Sequence, residues 1–304
     1  MIKSLINTII CTSFSLWFVT LYAQKVPSLP ISLKEQPSMP LYERIDAELQ
    51  LSLDKRLSQN NDWQQLINQQ KMAVALVDLS KPENPKYARI NGRKTMYSAS
   101  MPKIAILLAV FQKIDIGEFT MTPAIKKDLT DMIRRSSNRA ATRMINQAGG
   151  LDNVNKILTD PRYRLYDKNL GGGLWVGKRY QQVGRRVPDP VYGISHGSSV
   201  MQVARFYYLL ATGRLINPQR SREMLDILVD PAIKHKFVVE LEKADPNIKI
   251  YRKSGTWKNW HADSVLVWGP VWRRYILVSI VESVEGEKIL RNLLPAIESI
   301  LEHP

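Results

Sequence analysis

Three short motifs in the sequence combine hydroxyl and amine side chains in an order that suits acyl transfer. They are Ser100–Lys103 (SMPK), Ser136–Asn138 (SSN) and Lys253–Thr256 (KSGT). A serine hydroxyl needs a nearby base to become a nucleophile, because it is almost never ionised at neutral pH. Lys103 follows Ser100 by about one helical turn, so its amine can reach the hydroxyl from the same helix face. We predict that Ser100 is a nucleophile and that Lys103 is its base.

Two further stretches match parts of these motifs, at Ser52–Lys55 and Ser58–Asn60. Ser52 lies in the middle of a predicted helix, where its hydroxyl is not presented at a helix start. Ser58 follows only six residues later and is too close in the chain to form the opposite wall of a cleft. Ser100, by contrast, begins an apolar predicted helix. The context therefore selects the first set of motifs.

The order and setting of the three motifs resemble those of the penicillin-recognising serine hydrolases, which comprise class A β-lactamases and D-alanyl-D-alanine peptidases. The resemblance spans residues 42 to 302 as an order of elements. It includes Ser195–Ser199, where related enzymes begin a helix after a long active-site loop. It implies a β-lactamase/transpeptidase-like fold and an acyl-enzyme mechanism.

The resemblance also implies roles for the second motif. Ser136 would relay a proton between the two lysines and the leaving nitrogen, and Asn138 would bind the substrate's side-chain amide and hold Lys103 in place. Lys103 must be neutral part of the time to act as a base, which burial and a second nearby positive charge favour. Lys253 is the predicted second charge.

The third motif is expected to bind the substrate carboxylate through Lys253, Ser254 and Thr256. Gly255 lets the ligand approach the strand backbone closely, because it has no side chain. The resemblance places the oxyanion hole at the backbone N–H groups of Ser100 and Thr256, and donors at a helix start and a strand edge suit that task.

The sequence departs from class A β-lactamases in the long loop, where those enzymes carry a glutamate that activates water to release the acyl group. There is no glutamate between Arg139 and Arg222, and the loop offers only Asp160, Asp167 and Asp189 as carboxylates. Asp167 is the best substitute, although a turn residue is the favoured interpretation. Ser137 stands where an aspartate is usual, which affects the fold of that turn more than the chemistry.

Several aromatic residues and histidines lie near the motifs. Packing is the favoured role for the aromatic residues, with cleft lining as the alternative; these are Tyr97, Trp175, Trp257 and Trp260. His196 and His261 are interpreted as structural. The four histidines show no paired ligand spacing, so we predict no metal, and nothing in the sequence indicates a cofactor.

Apolar periodicity and breaker residues give the order of elements. The predicted elements are a helix from Leu41 to Leu57, strands Met72–Leu79 and Tyr87–Ile90, helices Ser100–Ile114, Pro123–Arg134, Arg139–Ala148, Ser199–Thr212 and Pro218–Leu228, strands Ile248–Lys253, Ser264–Trp268 and Tyr275–Val281, and a final helix Glu287–Leu301, with an irregular loop at Asp160–Pro190. This order predicts an α+β domain. Its antiparallel sheet is built from N- and C-terminal strands and flanked by helices, with an all-helical lobe beside it.

Composition narrows the cellular setting. Of the 304 residues, Lys and Arg number 43 against 28 Asp and Glu, and the net charge is +15. A single cysteine, Cys11, excludes a disulfide framework. Residues 1–23 have a basic start, an apolar middle and a small residue before a polar one, as in a secretory signal peptide. An uncleaved membrane anchor is the alternative. Residues 24–40 are a proline-rich linker, and residues 41–304 form the hydrolase domain.

The sequence thus predicts an exported, periplasmic or secreted serine hydrolase that forms an acyl-enzyme on Ser100 with a β-lactam or related amide. One alternative is a D-alanyl-D-alanine peptidase that acts on peptidoglycan peptides. The other is a non-catalytic protein of the same fold that binds cell-wall polymer through its positive charge. The excess positive charge favours an anionic envelope polymer as a partner over nucleic acid. The oligomeric state and the natural substrate stay open.

Overall fold

A computed structural model of the chain describes residues 29–30, 40–181 and 183–302. The predicted signal peptide and most of the predicted linker lie outside these residues. The helices are α1 (Ala47–Ser58), α2 (Asn61–Asn68), α3 (Lys103–Asp115), α4 (Pro123–Arg134), α5 (Asn138–Gln147), α6 (Gly150–Thr159), α7 (Val200–Ala211), α8 (Pro218–Leu228), α9 (Phe237–Ala244) and α10 (Gly286–Glu302). No helix in this described part is long and apolar enough to cross a membrane.

The strands fall into one large sheet and two small ones. They are β1 (Met72–Asp78), β2 (Lys86–Ile90), β3 (Met96–Tyr97), β4 (Tyr166–Asp167), β5 (Gly172–Gly173), β6 (Trp175–Val176), β7 (His196–Ser198), β8 (Lys249–Trp257), β9 (Trp260–Trp268) and β10 (Arg274–Glu282). The large sheet is antiparallel with the order β2-β1-β10-β9-β8. Strands from the two ends of the chain therefore share one sheet, and the predicted fold class is confirmed.

The β1–β10 pairing joins the two ends of the domain. Its register runs from Met72 opposite Val281 to Asp78 opposite Tyr275. The first six residues of β1 are buried, as expected for a strand covered on both faces. One face of the sheet packs against α1, α9 and α10, and the other packs against the helical lobe. The buried sheet is a rigid support for the third motif, which lies on its edge strand β8.

Helix α3 is the centre of the lobe. Every residue from Lys103 to Gln112 is buried, so the helix is surrounded by apolar neighbours instead of presenting one face to water. Residues Ile104 to Phe111 supply the apolar surface that holds it in place. A lysine at the first position of such a helix is carried into the interior, and this placement determines its chemistry.

The structure extends two predicted strands by four residues each and adds helices. Strand β8 continues to Trp257 beyond the predicted end at Lys253, and β9 begins at Trp260 instead of Ser264. The predicted irregular loop contains the short strands β4, β5 and β6. Helices α6 and α9 have no counterpart among the predicted elements. The sequence leaves Ser198 and Ser199 as alternative caps of α7, and the structure selects Ser199, which accepts a hydrogen bond from the Gln202 backbone N–H.

Candidate active site

Ser100 lies in a tight turn that precedes α3. The regular helix begins at Lys103, three residues later than predicted, because Ala99 adopts a left-handed backbone with φ of 53°. The turn is closed by the Met101 N–H, which donates to the Ser98 carbonyl at 3.0 Å. Within the described part of the chain the Ser100 N–H has no acceptor. An unpaired donor beside the nucleophile suits the oxyanion-hole role that the family resemblance implies.

The amine of Lys103 lies beneath the Ser136–Asn138 turn. It donates to the Ser136 carbonyl at 2.5 Å and to Asn138 Oδ1 at 2.8 Å, and it lies 3.4 Å from Ser136 Oγ. Lys103 is fully buried, and the cost of desolvating an ammonium lowers its pKa to about 7. A lysine with this pKa is neutral often enough near neutral pH to accept a proton.

Ser136 connects the two lysines of the site. Its hydroxyl lies 3.0 Å from Lys253 Nζ as well as 3.4 Å from Lys103 Nζ. A positive φ of 56° turns Ser136 towards both amines at the junction of α4 and α5. Ser137 then caps α5 by accepting from the Ala140 N–H at 3.2 Å. The serine in place of the usual aspartate therefore serves the turn.

Lys253 reaches the same point from the edge of the sheet. Its amine donates to Ser136 Oγ at 3.0 Å and to the Ser254 carbonyl at 2.6 Å, and the side chain is only 1% exposed. Burial lowers the pKa of Lys253 well below its usual range, and repulsion from Lys103 and Arg252 lowers it further. Two amines that repel each other across one hydroxyl favour the loss of a proton from one of them.

Gly255 lets β8 lie directly against the turn that holds the nucleophile. A Cβ atom at this position would meet the Ser98 carbonyl oxygen at 2.0 Å and the Ser100 nitrogen at 2.8 Å. Any side chain would therefore force the strand and the turn apart. The close contact of backbones explains why the third motif needs glycine here.

Lys236 is a site residue that the sequence did not indicate. It is fully buried, and its amine donates to the Gly255 carbonyl at 2.8 Å, to Thr256 Oγ1 at 2.8 Å and to the Ala262 carbonyl at 3.1 Å. Burial lowers its pKa to about 8. Lys234, two positions earlier, is 62% exposed and pairs with Glu242, so residue type alone does not distinguish the two lysines. Only the structure shows that Lys236 holds the end of β8.

A buried ion pair braces the segment that carries Lys236. The guanidinium of Arg252 donates two hydrogen bonds to the Asp263 carboxylate, at 2.7 and 2.9 Å. The Arg252 side chain is 2% exposed and the Asp263 side chain is 0% exposed. Arg252 also donates to the Ile233 carbonyl at 2.9 Å, and Asp263 Oδ2 accepts from the Phe237 N–H at 3.2 Å. The pair thus ties β8 and β9 to the chain on both sides of Lys236.

The motifs surround a cleft of about 850 Å³. Ser100, Asn138 and Thr256 line it, whereas Lys103, Ser136 and Lys253 are joined by hydrogen bonds at its edge. Ser254 does not line it, because its hydroxyl is directed to His235 Nε2 at 3.5 Å. The predicted role of Ser254 in binding a substrate carboxylate stays a prediction.

Aromatic residues form much of the cleft wall. Tyr97, Trp257 and Trp260 line it, and Trp257 is 58% exposed. Cleft lining, the alternative interpretation, thus applies to all three, while Trp260 also packs against the core and against the Tyr97 ring at 6.0 Å. Trp175 is buried in the core, where its indole N–H donates to the Val187 carbonyl at 2.7 Å.

His196 and Tyr180 form a stacked pair inside the cleft. Their ring centroids are 4.3 Å apart and the rings are parallel within 2°. The Tyr180 ring also lies 4.5 Å from Lys103 Nζ, and its hydroxyl donates to the Ala99 carbonyl. Burial and the nearby charges of Lys178, Lys103 and Arg186 lower the pKa of His196 to about 3, so the ring is neutral at physiological pH.

The loop carboxylates do not line the cleft that Ser100 lines. Asp167 caps a short 3-10 turn and pairs with Arg164, and Asp189 accepts from the Tyr166 hydroxyl and from the Tyr192 N–H. Asp160 pairs with Arg162 at the surface. No aspartate or glutamate among the described residues lines the cleft. Asp167 is therefore a turn residue, as the favoured interpretation held, and does not replace the missing glutamate.

Comparison with known proteins places this arrangement in a family. A family model described as the Beta-lactamase enzyme family matches residues 59–131 and 122–300. No curated protein matches the sequence.

Solved structures share the fold at low sequence identity. PBP-A is 18% identical with a TM-score of 0.61, over 91% of this chain and 100% of PBP-A. The β-lactamase from Sphaerobacter thermophilus is 18% identical with a TM-score of 0.59, over 77% of this chain and 92% of the other. A variant of PBP-A in an acyl-enzyme complex with penicillin G is 18% identical with a TM-score of 0.62, over 89% and 100% of the two chains.

Proposed function

The chain belongs to the Beta-lactamase enzyme family and is a β-lactamase-like serine hydrolase, and from this premise we propose that it cleaves an amide through an acyl-enzyme on Ser100. The observation that carries the proposal is the convergence of Lys103 and Lys253 on Ser136 Oγ, at 3.4 and 3.0 Å, beside a cleft lined by Ser100.

Each group has a defined task in acylation. Neutral Lys103 accepts the hydroxyl proton of Ser100 as Oγ attacks the carbonyl carbon. The negative oxygen that develops faces the Ser100 N–H. The C–N bond then breaks, and Ser136 passes a proton from the lysine pair to the leaving nitrogen. The acyl group stays on Ser100 until water hydrolyses the ester.

Substrate recognition is assigned to the hydroxyl of Thr256, which lines the cleft. This hydroxyl accepts a hydrogen bond from the Lys236 amine, so its own hydrogen is free to be donated to a carboxylate at this end of the cleft. We propose that the substrate presents a carboxylate here. The known acyl-enzyme complex of a PBP-A variant with penicillin G supports penicillins as test substrates.

A D-alanyl-D-alanine peptidase is the second candidate. The cleft lining described by the structure has no carboxylate to activate water in the manner of a class A β-lactamase. This favours fast acylation by penicillins followed by slow release. Cleavage of a peptide ending in D-Ala-D-Ala, with no turnover of nitrocefin, would select the peptidase. Retention of peptidoglycan by Ser100→Ala, with no hydrolysis by the parent, would select the non-catalytic alternative.

Mass spectrometry after incubation with benzylpenicillin tests the nucleophile. We expect a penicilloyl adduct on the peptide that contains Ser100 and none in Ser100→Ala. Ser52→Ala is the matched control, because Ser52 belongs to a second serine-x-x-lysine sequence and lies on α1. An unmodified Ser100 peptide after treatment with both benzylpenicillin and a fluorophosphonate would refute the assignment.

We also propose export through residues 1–23, which N-terminal sequencing of the mature protein tests.

A further inference from the structure

One side of the cleft carries positive charges that the proposed acylation does not use. We call Lys178, Arg186 and Lys258 the cationic wall. All three line the cleft that Ser100 lines. Lys178 and Arg186 are held side by side by an antiparallel bridge, and the Val187 N–H fixes the same segment by donating to the Gly177 carbonyl at 2.7 Å. The wall is thus part of a paired backbone segment.

The cationic wall has no counter-charge in the described chain. None of its three side chains forms an ion pair there, and no carboxylate lines the cleft. Arg185 shows the contrast, because it is adjacent to Arg186 yet forms a salt bridge with Asp152 at 2.5 Å. The unpaired charges of the cationic wall therefore line the same cleft as Ser100.

The positive charges of the cationic wall affect a histidine inside the cleft. Lys178 and Arg186 both contribute to the low pKa of His196, whose ring is 2% exposed and lines the cleft. Both nitrogens of that ring lack a hydrogen-bond partner among the described residues. A ligand that enters this side therefore meets positive potential and an unsatisfied polar ring.

We infer that the substrate carries a second carboxylate, which binds the cationic wall while the first is held near Thr256. This inference rests on the proposed function, since it assigns a second anchor to the same substrate. The planar guanidinium of Arg186 matches a carboxylate with two parallel hydrogen bonds, and Lys178 adds a point charge beside it. Trp257 and Val183, 58% and 84% exposed, line the same cleft and offer apolar contact to the substrate.

Two penicillins that differ by one carboxylate test the inference. Benzylpenicillin has a phenylacetyl side chain, and α-carboxybenzylpenicillin adds a carboxylate to it. The measured quantity is the second-order rate constant for acylation of Ser100 by α-carboxybenzylpenicillin, the dianion, divided by that for benzylpenicillin, the monoanion. We expect this ratio to fall about tenfold in the double variant Lys178→Gln/Arg186→Gln, the size of a lost charge-assisted contact. The use of a ratio removes the intrinsic reactivity of each penicillin.

Arg185→Gln is the matched control, because it removes one positive charge from the neighbouring position outside the cleft lining. Its ratio should change less than about twofold, since exposed pairs are screened. An unchanged ratio in the double variant, or an equal fall in Arg185→Gln, overturns the second carboxylate site.

A binding measurement separates this inference from the nucleophile assignment. Calorimetric titration of Ser100→Ala with each penicillin needs no acyl-enzyme. The inference predicts that Ser100→Ala binds the dianion more tightly than the monoanion, and that this difference is lost when Lys178→Gln and Arg186→Gln are added. That result supports binding of a second carboxylate by the cationic wall even if the parent forms no adduct on Ser100. Equal affinity for the two penicillins overturns it, whereas a missing adduct alone refutes only the proposed function.

Discussion

The proton affinity of Lys103 results from two opposing effects at one side chain. Complete burial disfavours the ammonium, whereas the carbonyl of Ser136 and the amide oxygen of Asn138 accept hydrogen bonds from it. Burial is the larger effect, and the pKa falls to about 7. The two acceptors also hold the amine in one position, 3.4 Å from the Ser136 hydroxyl.

Acylation should therefore depend on pH through the ionisation of Lys103. For a base with a pKa of about 7, the neutral fraction rises about tenfold between pH 6 and pH 8. We expect the second-order rate of acylation by benzylpenicillin, followed by stopped-flow fluorescence, to rise by the same factor. Lys103→Arg should lose acylation, because arginine stays protonated. A rate that is constant from pH 6 to pH 8 would contradict Lys103 as the base.

At the scale of elements, the site depends on how β8 and β9 are tied to the segment before α9. The Arg252–Asp263 pair makes this connection in a fully buried position. Removing one partner of such a pair leaves the other charge desolvated and uncompensated. The same change releases the Phe237 N–H, which donates to Asp263. The backbone around Lys236 would then lose the contacts that hold it against the end of β8.

Asp263→Asn should lower the free energy of unfolding by about 3 kcal/mol or more. Urea denaturation followed by circular dichroism measures the loss. Asp152→Asn is the control, because its salt bridge with Arg185 joins side chains that are 62% and 63% exposed. That pair should contribute less than about 1 kcal/mol. Equal stability losses in the two variants would show that burial of the Arg252–Asp263 pair has no special effect.

The sequence predicted the elements that carry a strong apolar pattern. Strand β1 and the helix α3 were recognised because almost all their residues are apolar and buried. The end of β8 was not recognised, because Ser254, Gly255 and Thr256 break that pattern where the strand turns to the cleft. The start of α3 was misplaced because a left-handed residue, Ala99, has no signature in its residue type.

The candidate site shows the same division. Motif spacing predicted Ser100, Lys103 and Ser136, since Lys103 follows Ser100 by about one helical turn and Ser136 begins a serine-x-asparagine sequence. Lys236 and Tyr180 reach the site only through tertiary contacts with Thr256 and Lys103, which no local pattern records. The residues of local motifs could therefore be predicted from the sequence. The residues that reach the site only by packing could not.

At the scale of the whole molecule, burial of basic groups couples stability to pH. Burial lowers the pKa values of three lysines and three histidines; they are Lys103, Lys236, Lys253, His196, His235 and His261. Below its folded-state pKa, each group is protonated in both states, and the native protein bears the full cost of a buried charge. As pH rises, the native state loses the proton first and that cost disappears. The free energy of unfolding therefore rises with pH between the folded-state pKa and the unfolded-state pKa of each group.

For Lys103 the interval runs from about 7 to the unfolded value of about 10.4. We expect the free energy of unfolding, measured in urea at pH 7.5, 8.5 and 9.5, to increase with pH. Lys103→Met removes one titrating group, so it should reduce this slope by up to about 1.4 kcal/mol per pH unit and stabilise the protein most below pH 7. Lys127→Met is the control, because Lys127 is 75% exposed, and its slope should match the parent's. Parallel slopes in the parent and in Lys103→Met would mean that Lys103 has the same proton affinity in the folded and unfolded chains, and the base assigned to Ser100 would then be protonated at neutral pH.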